Sequence, residues 1–401
     1  MNILLRLALC AGLALGGAGA AHASGDVVRI GVLNDQTGMN ADLSGQGSVL
    51  AAKMAAEDMG GSVLGKKIEI VFADHQNKAD IGASIATQWY DKDGVDMITD
   101  LPFSSVAIAV QEIAKQRHKI VTFSGPGSSD LTGKFCSPYG FHWTFDTVAL
   151  GRGTGSALVK SGGDTWFFLT SDYAFGHALA NDTMEVVKAN GGKVLGEAVH
   201  PVNNADFSSF LVQAQASGAK VIGLANGATD TTNSIKQAHE FGITPKQTLA
   251  GLLVFISDVH SLGLEVAQGL KLTESFYWDQ NDETRAFSKR FAARFGGKMP
   301  TMVHAGVYSA TLHYLKAVKA ADTLDGEKVA AQMHATKVDD FMGHNVPIRA
   351  DGRVMRDFYL FEVKKPSESK GPWDYYKLVR TIPADEAARS VAESACPLLK
   401  K

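Results

Sequence analysis

Two pairs of neighbouring serines stand where this chain could do chemistry: Ser104-Ser105 in DLPFSSVAIAV and Ser128-Ser129 in KIVTFSGPGSSDLTG. Each pair follows a short apolar or β-branched run and opens a helix-like stretch. A hydroxyl and successive backbone N–H groups at such a junction form a neutral socket for an anion, with no lysine or arginine required. Taken singly, each pair reads first as helix capping, which serine and aspartate do routinely. Two such junctions in adjacent units of one chain favour binding of an anion over capping alone.

Other chemistries find little support. Ser124 lies between Phe123 and Gly125 and lacks the preceding glycine of a G-x-S-x-G elbow. There is no P-loop and no H-E-x-x-H. In GRGTGSALVKSGG (151–163) the glycines have the wrong spacing for a dinucleotide loop, and the stretch reads as a turn opening a helix. The 12 histidines are scattered, with no ligand pair at metal spacing. The expectation is a protein that is not an enzyme and needs no cofactor or metal.

The elements that must hold the serines alternate along the chain. Strand-like runs fall at 27–35, 67–74, 95–101 and 118–125, then at 164–172, 192–200, 219–226 and 248–255. Amphipathic stretches at 83–94, 105–117, 206–218 and 231–242 separate some of them. Nearly continuous apolar strands alternating with helices predict parallel sheets covered on both faces, an α/β class. The pattern resets at 146–156, which predicts two sheets. Two long helical patterns follow within 283–322, and 357–363 with 373–382 reads as a late hairpin. In open α/β sheets ligands bind beyond the carboxyl ends of strands. That places 34–38, 101–105 and 124–129 at one site, with 170–176, 226–230 and 252–255.

Composition sets the context. With 45% hydrophobic residues, 20% charged and a net charge of −3, the chain has no basic run to recommend nucleic acid or an anionic membrane as partner. MNILLR, the apolar LALCAGLALGGAGAA and Ala21-His22-Ala23 have the layout of a secretory signal peptide, residues 1–23, with cleavage near Ala23. Export leaves Cys136 and Cys396, an even pair that invites a disulfide in an oxidising compartment.

Taken together, IGVLNDQTGMNADLSGQGSVLAAKMAAEDMGG, DMITDLPFSSVAIAVQEIAKQRHKIVTFSGPGSSDLT, FFLTSDYAFGHALANDTMEVVKANGGKVLGE and HAGVYSATLHYLKAV resemble the leucine/isoleucine/valine-binding family of periplasmic solute-binding proteins. The resemblance spans the mature chain. It implies a two-lobe type I periplasmic binding fold, each lobe a mostly parallel sheet flanked by helices, joined by three crossovers near 146–150, 277–279 and 352–356. Lobe one is then 26–147 plus 279–354, and lobe two 148–278 plus 355–401. The implied role is that of a monomeric periplasmic receptor handing a small solute to the permease of an ABC importer.

The same resemblance assigns Ser104, Ser105, Ser128 and Ser129 to the ligand carboxylate, with Leu43 or Ser44 leaning over it. From the second lobe it brings Phe175 and Ala228. Members that bind α-amino acids place a glutamate where this chain has Leu253. A buried ammonium without a carboxylate partner is costly. Phe103, Tyr173, Leu252, Tyr277 and Trp278 suggest an apolar ligand body, and Asn226 or Asp230 a reader of a ring hydroxyl. An aromatic acid is therefore the expected ligand. A branched-chain amino acid is expected to bind poorly unless Asp172 or Asp230 substitutes for the glutamate, and binding of such an amino acid or an amide by the same fold is the alternative. A secreted α/β enzyme is the rival from another class.

Overall fold

The structure is a computed structural model that describes residues 26–244 and 246–400; the expected signal peptide lies outside the described residues. Strands β1 (Val27–Asn34), β2 (Ser62–Val63), β3 (Lys66–Asp74), β4 (Met97–Asp100), β5 (Ile120–Phe123) and β6 (Gly140–His142) form one sheet, in the order β2-β3-β1-β4-β5-β6. All its pairings are parallel except that of the short β2 with β3. Alternation along each strand divides the core into two faces. Ile30, Met97 and Ile120 pack with Ala310, Tyr314 and Val318 of the Met302–Ala321 helix. Leu33, Ile98 and Val121 pack with Trp89, Val106 and Val110, from helices Ala79–Asp91 and Ser104–Gln116. Helices on both faces explain why β4 and β5 are buried along their whole length, whereas β3, near the edge, keeps Lys66, Lys67 and Glu69.

Strands β7 (Thr165–Ser171), β8 (Lys193–His200), β9 (Val221–Ala225) and β10 (Thr248–Gly251) form a second parallel sheet, in the order β10-β9-β7-β8. Strand β11 (Lys271–Glu274) belongs to a third sheet. After the small hairpin of β12 (Val338–Asp340) and β13 (Gly343–Val346), β14 (Phe358–Val363) and β15 (Tyr376–Ile382) join β11 in the antiparallel order β11-β14-β15. The second and third sheets share one core, in which Leu169, Ile222 and Leu224 meet Leu272, Phe361 and Val363. Sequence patterning did not anticipate β2, β6, β11 or the β12–β13 hairpin: SV, GFH, KLTE, VDD and GHNV lack the apolar run that marks strands as short as β4 and β5.

The chain leaves the first sheet after β6, returns from β11 through Ser275–Asn281, and leaves again after the β12–β13 hairpin. A bridge between His142 and Arg353 laces the first passage to the third, and one between Ile348 and Val354 folds the third back on itself. Arg353, 1% exposed, sets its Nε 3.1 Å from Asp146 Oδ2 and its guanidinium over the Phe358 ring. Glycines 151, 153 and 155 do not make a turn. They belong to a continuous helical run from Thr147 to Lys160, π-helical over Gly151–Gly155. A Cβ at Gly153 would lie 2.3 Å from Thr273 Oγ1, and one at Gly151 3.0 Å from Thr183 Oγ1. The missing side chains let this run lie against β11 and the Ala174–Ala189 helix.

Cys136 and Cys396 are bonded, with Cα atoms 5.7 Å apart across a sequence separation of 260. The tail, expected with the second lobe, is thus tied to the first. On its way Arg389 reaches Asp182 Oδ1 at 2.7 Å, and Arg152 pairs with Glu393 at 3.0 Å. Closing so long a loop restricts the unfolded chain. Replacing both cysteines with serine is expected to lower unfolding free energy by about 2–4 kcal/mol in urea titrations under non-reducing conditions.

Candidate functional site

The carboxyl ends of β1, β4 and β5 face those of β7, β9 and β10 across a narrow cleft. On the first side it is lined by Asn40, Leu43, Pro102, Gly125 and Gly127. On the second it is lined by Tyr173, Phe175, Gly227, Ala228, Leu253 and Phe255. Aromatic contacts span the gap. Phe103, the residue before the Ser104–Gln116 helix, stacks on Tyr173 with centroids 4.5 Å apart and rings 14° from parallel. Phe145 meets Phe255 edge-on at 5.9 Å. Such pairs contribute about 0.5–1.5 kcal/mol each beyond the area they bury. Gly127 is held between rings: a Cβ there would be 2.7 Å from both Phe145 and Phe175. Only about 10 Å³ of the cleft would admit a water-sized sphere, room for about one water. A ligand of any size therefore needs the two sides to part.

The backbone around the cleft is strained. Asp100 (φ 86°) and Leu101 (φ 59°) end β4 in the left-handed region, and Ala228 (φ 53°) starts its helix there. Each costs a non-glycine residue roughly 1–2 kcal/mol. Such strain collects where a site dictates geometry.

The serines have other commitments. Ser128 caps the 3₁₀ turn Ser129–Thr132, its Oγ accepting from Asp130 N–H at 3.4 Å. Ser129 Oγ donates to Asp182 Oδ2 at 2.7 Å, a bond from the first side to the second. Ser104 Oγ accepts from Ser128 N–H at 3.2 Å and retains its own proton to donate. Ser105 is half-buried on the same helix. Ser44 Oγ donates to Asp100 Oδ2 at 2.6 Å. In the stretch SGPGSSD it is Gly125 and Gly127, with their bare backbone, that line the cleft.

The polar residues expected from the second side also serve the fold. Asn226 donates to Ser234 Oγ and accepts from Thr231, within the core. Asp230 accepts from the N–H groups of Asn203 and Asn204, at 3.0 and 2.8 Å, and holds that loop. Burial pushes its carboxyl up to about 6. Tyr277 and Trp278 point into the core of the second and third sheets, where both donate to the Trp373 carbonyl. Leu43, Tyr173, Phe175, Ala228 and Leu253 do line the cleft, and Phe103 braces it from behind. Asn40 lines it without any signal in the strand-end pattern, because it sits in the loop beyond β1.

A roomier hollow of about 560 Å³ lies beside Val148, Arg152, Asp182 and Glu393. Its arginines are already neutralised by Glu393 and Asp182, and none of its lining residues lies in the loops that follow β1, β4, β5, β7, β9 or β10. The convergence of strand termini and strained backbone assigns the site to the cleft.

A family model described as "Periplasmic binding protein" matches residues 27–371. The chain belongs to that family. A periplasmic binding protein from Burkholderia mallei is 52% identical, with a TM-score of 0.92, over 93% of this chain and 99% of that one. A branched chain amino acid ABC transporter periplasmic ligand-binding protein from Burkholderia xenovorans LB400 is 40% identical, with a TM-score of 0.83, over 93% and 100%. A solute-binding protein from R. palustris, solved with benzoate, shares 21% identity and a TM-score of 0.82 over 92% and 99%. The two-lobe type I fold follows from these matches.

Beneath this binding protein's cleft lies Asp100, fully buried. Its Oδ2 accepts from Ser44 Oγ and from Asn34 Nδ2 at 2.9 Å, while Oδ1 has no partner among the described residues. Burial pushes its carboxyl up to about 6, against the hydrogen bonds from Ser44 and Asn34 that favour the ionised form. A carboxyl raised by folding holds its proton more tightly in the folded state. Its contribution is therefore fully present below the ordinary value near 4 and is lost as pH rises through about 6. Asp100→Asn removes that dependence. Its stability relative to wild type is expected to improve by about 1–3 kcal/mol between pH 4 and pH 8, read by denaturant unfolding at each pH.

Proposed function

We propose that this chain is the non-catalytic, periplasmic receptor of an ABC importer, monomeric, and that it closes on a small organic carboxylate, an aromatic acid, for delivery to the permease. The lobes that close would be 26–147 plus 279–354 and 148–278 plus 355–401. The observation that carries this reading is the lining of the second side. Phe175, Ala228, Leu253 and Phe255 stand there, with no acidic side chain among the described lining residues. An ammonium buried against them would lose its water without gaining a countercharge. An anion is better served. The Gly125–Gly127 backbone, the start of the Ser104–Gln116 helix and that of the Ala228–Glu240 helix offer N–H groups, and helix starts favour negative charge by about 0.3–1 kcal/mol or more.

The rival reading is a branched-chain amino acid. The free Oδ1 of Asp100 would then have to meet the ammonium, and the printed name of the B. xenovorans relative favours such a ligand. Thermal unfolding of protein stripped by denaturation and refolding separates the two. Benzoate and 4-hydroxybenzoate at millimolar concentration are expected to raise the melting temperature by several degrees, and leucine or valine by less than one. Stabilisation by leucine but not by the aromatic acids would establish the rival.

A further inference from the structure

We propose that Asn40 selects, among acids entering the cleft, those carrying a hydrogen-bond donor such as a ring hydroxyl. The inference rests on the reading of the cleft as an acid-binding site and adds a second requirement to it.

The argument starts at Asp35, fully buried just after β1. Its Oδ1 accepts from Gly38 N–H at 2.7 Å and Thr37 N–H at 3.3 Å. Its Oδ2 accepts from Asn40 N–H at 2.9 Å and from Asn77 Nδ2 at 2.6 Å. With both oxygens accepting, Asp35 can only face donors, so the Asn77 amide must turn its nitrogen inward. Asn77 Oδ1 is thereby left to accept, and it does so from Asn40 Nδ2 at 3.1 Å. The Asn40 amide is oriented in turn: its nitrogen is used, and its Oδ1 accepts from no described residue. Asn40 is buried and lines the cleft. The loop is built around this relay, since a Cβ at Gly38 would lie 2.7–2.8 Å from the Asp35 oxygens.

The cleft therefore presents a fixed acceptor that cannot be turned into a donor without breaking the contact with Asn77. A ligand with only an apolar face toward Asn40 buries that oxygen unpaired, and a carboxylate there would be repelled. A hydroxyl satisfies it. Sites that reach for a hydroxyl reject the analogue lacking one far more strongly than apolar pockets distinguish shapes. The ligand carboxylate then points away from Asn40, toward the Gly125–Gly127 backbone.

Calorimetry on stripped protein with benzoate, 3-hydroxybenzoate and 4-hydroxybenzoate tests this. At least one hydroxylated acid is expected to bind tenfold or more tightly than benzoate. In Asn40→Leu that ratio should fall toward one. Asn77→Gly supplies the control from outside the cleft: glycine suits the backbone there (φ 55°) but frees the Asn40 amide to turn, so the ratio should shrink again. Far-ultraviolet circular dichroism would verify that both variants fold. Equal affinity for benzoate and both hydroxylated acids in the wild type, or an unchanged ratio in Asn40→Leu, overturns the role of Asn40 while leaving acid binding intact. Binding of leucine with none of the three acids overturns the acid-site reading and this inference with it.

Discussion

Arg353 is a guanidinium enclosed where the polypeptide crosses between its two halves, and Asp146, on a neighbouring crossing, is its counter-ion. Removing either partner would strand a charge in the interior, a loss of about 3–5 kcal/mol. The consequences spread from there. Burial favours a neutral Asp146, yet the Arg353 guanidinium holds it below the usual carboxylate range, so it stays charged and also caps Ala149 N–H at the start of the helical run that enters the second half. His142 is kept neutral by burial, with Arg353 adding to the effect, and titrates only near pH 4. Its Nε2 lies 2.8 Å from the Pro126 carbonyl, between the two cleft glycines. One buried pair thus joins the crossings to the loop that floors the site.

The cleft is closed on its own rings. Phe103 against Tyr173, and Phe145 against Phe255, supply contacts that a guest would have to replace as it entered. Ser129 and Asp182 add a polar tie across the same gap. Burial favours the protonated form of Asp182, while Thr147, Arg389 and Ser129 favour its charge. The ring contacts are apolar, with a polar tie beside them.

Much of this was legible in the residues. Eight of the strands announced themselves as mostly apolar runs, as in VVRIGVLN, where only Arg29 and Asn34 are polar. The strand ends pointed to loops that line the cleft, and within them Phe175, Leu253 and Ala228 reach it. The hydroxyls carry bonds within the protein that the sequence did not announce. Serine at a helix start reads alike whether it meets a ligand or its own backbone, and only coordinates show Ser128 capping and Ser129 bound to Asp182. Asp230 and Asn226 are likewise drawn into local networks, Asp230 by the N–H groups of Asn203 and Asn204 and Asn226 by the Thr231 and Ser234 hydroxyls, which sequence spacing does not reveal. Asn40 depends on Asn77, which follows β3 well away in the chain, and no local pattern announces such a pairing.

The sulfur bond from Cys136 to Cys396 makes most of the molecule a covalent ring. A protease that cut the polar loop between β14 and β15, or any other exposed turn within that ring, would leave a single molecule of unchanged mass apart from the added water. Its pieces would separate only once a reductant opened the bond.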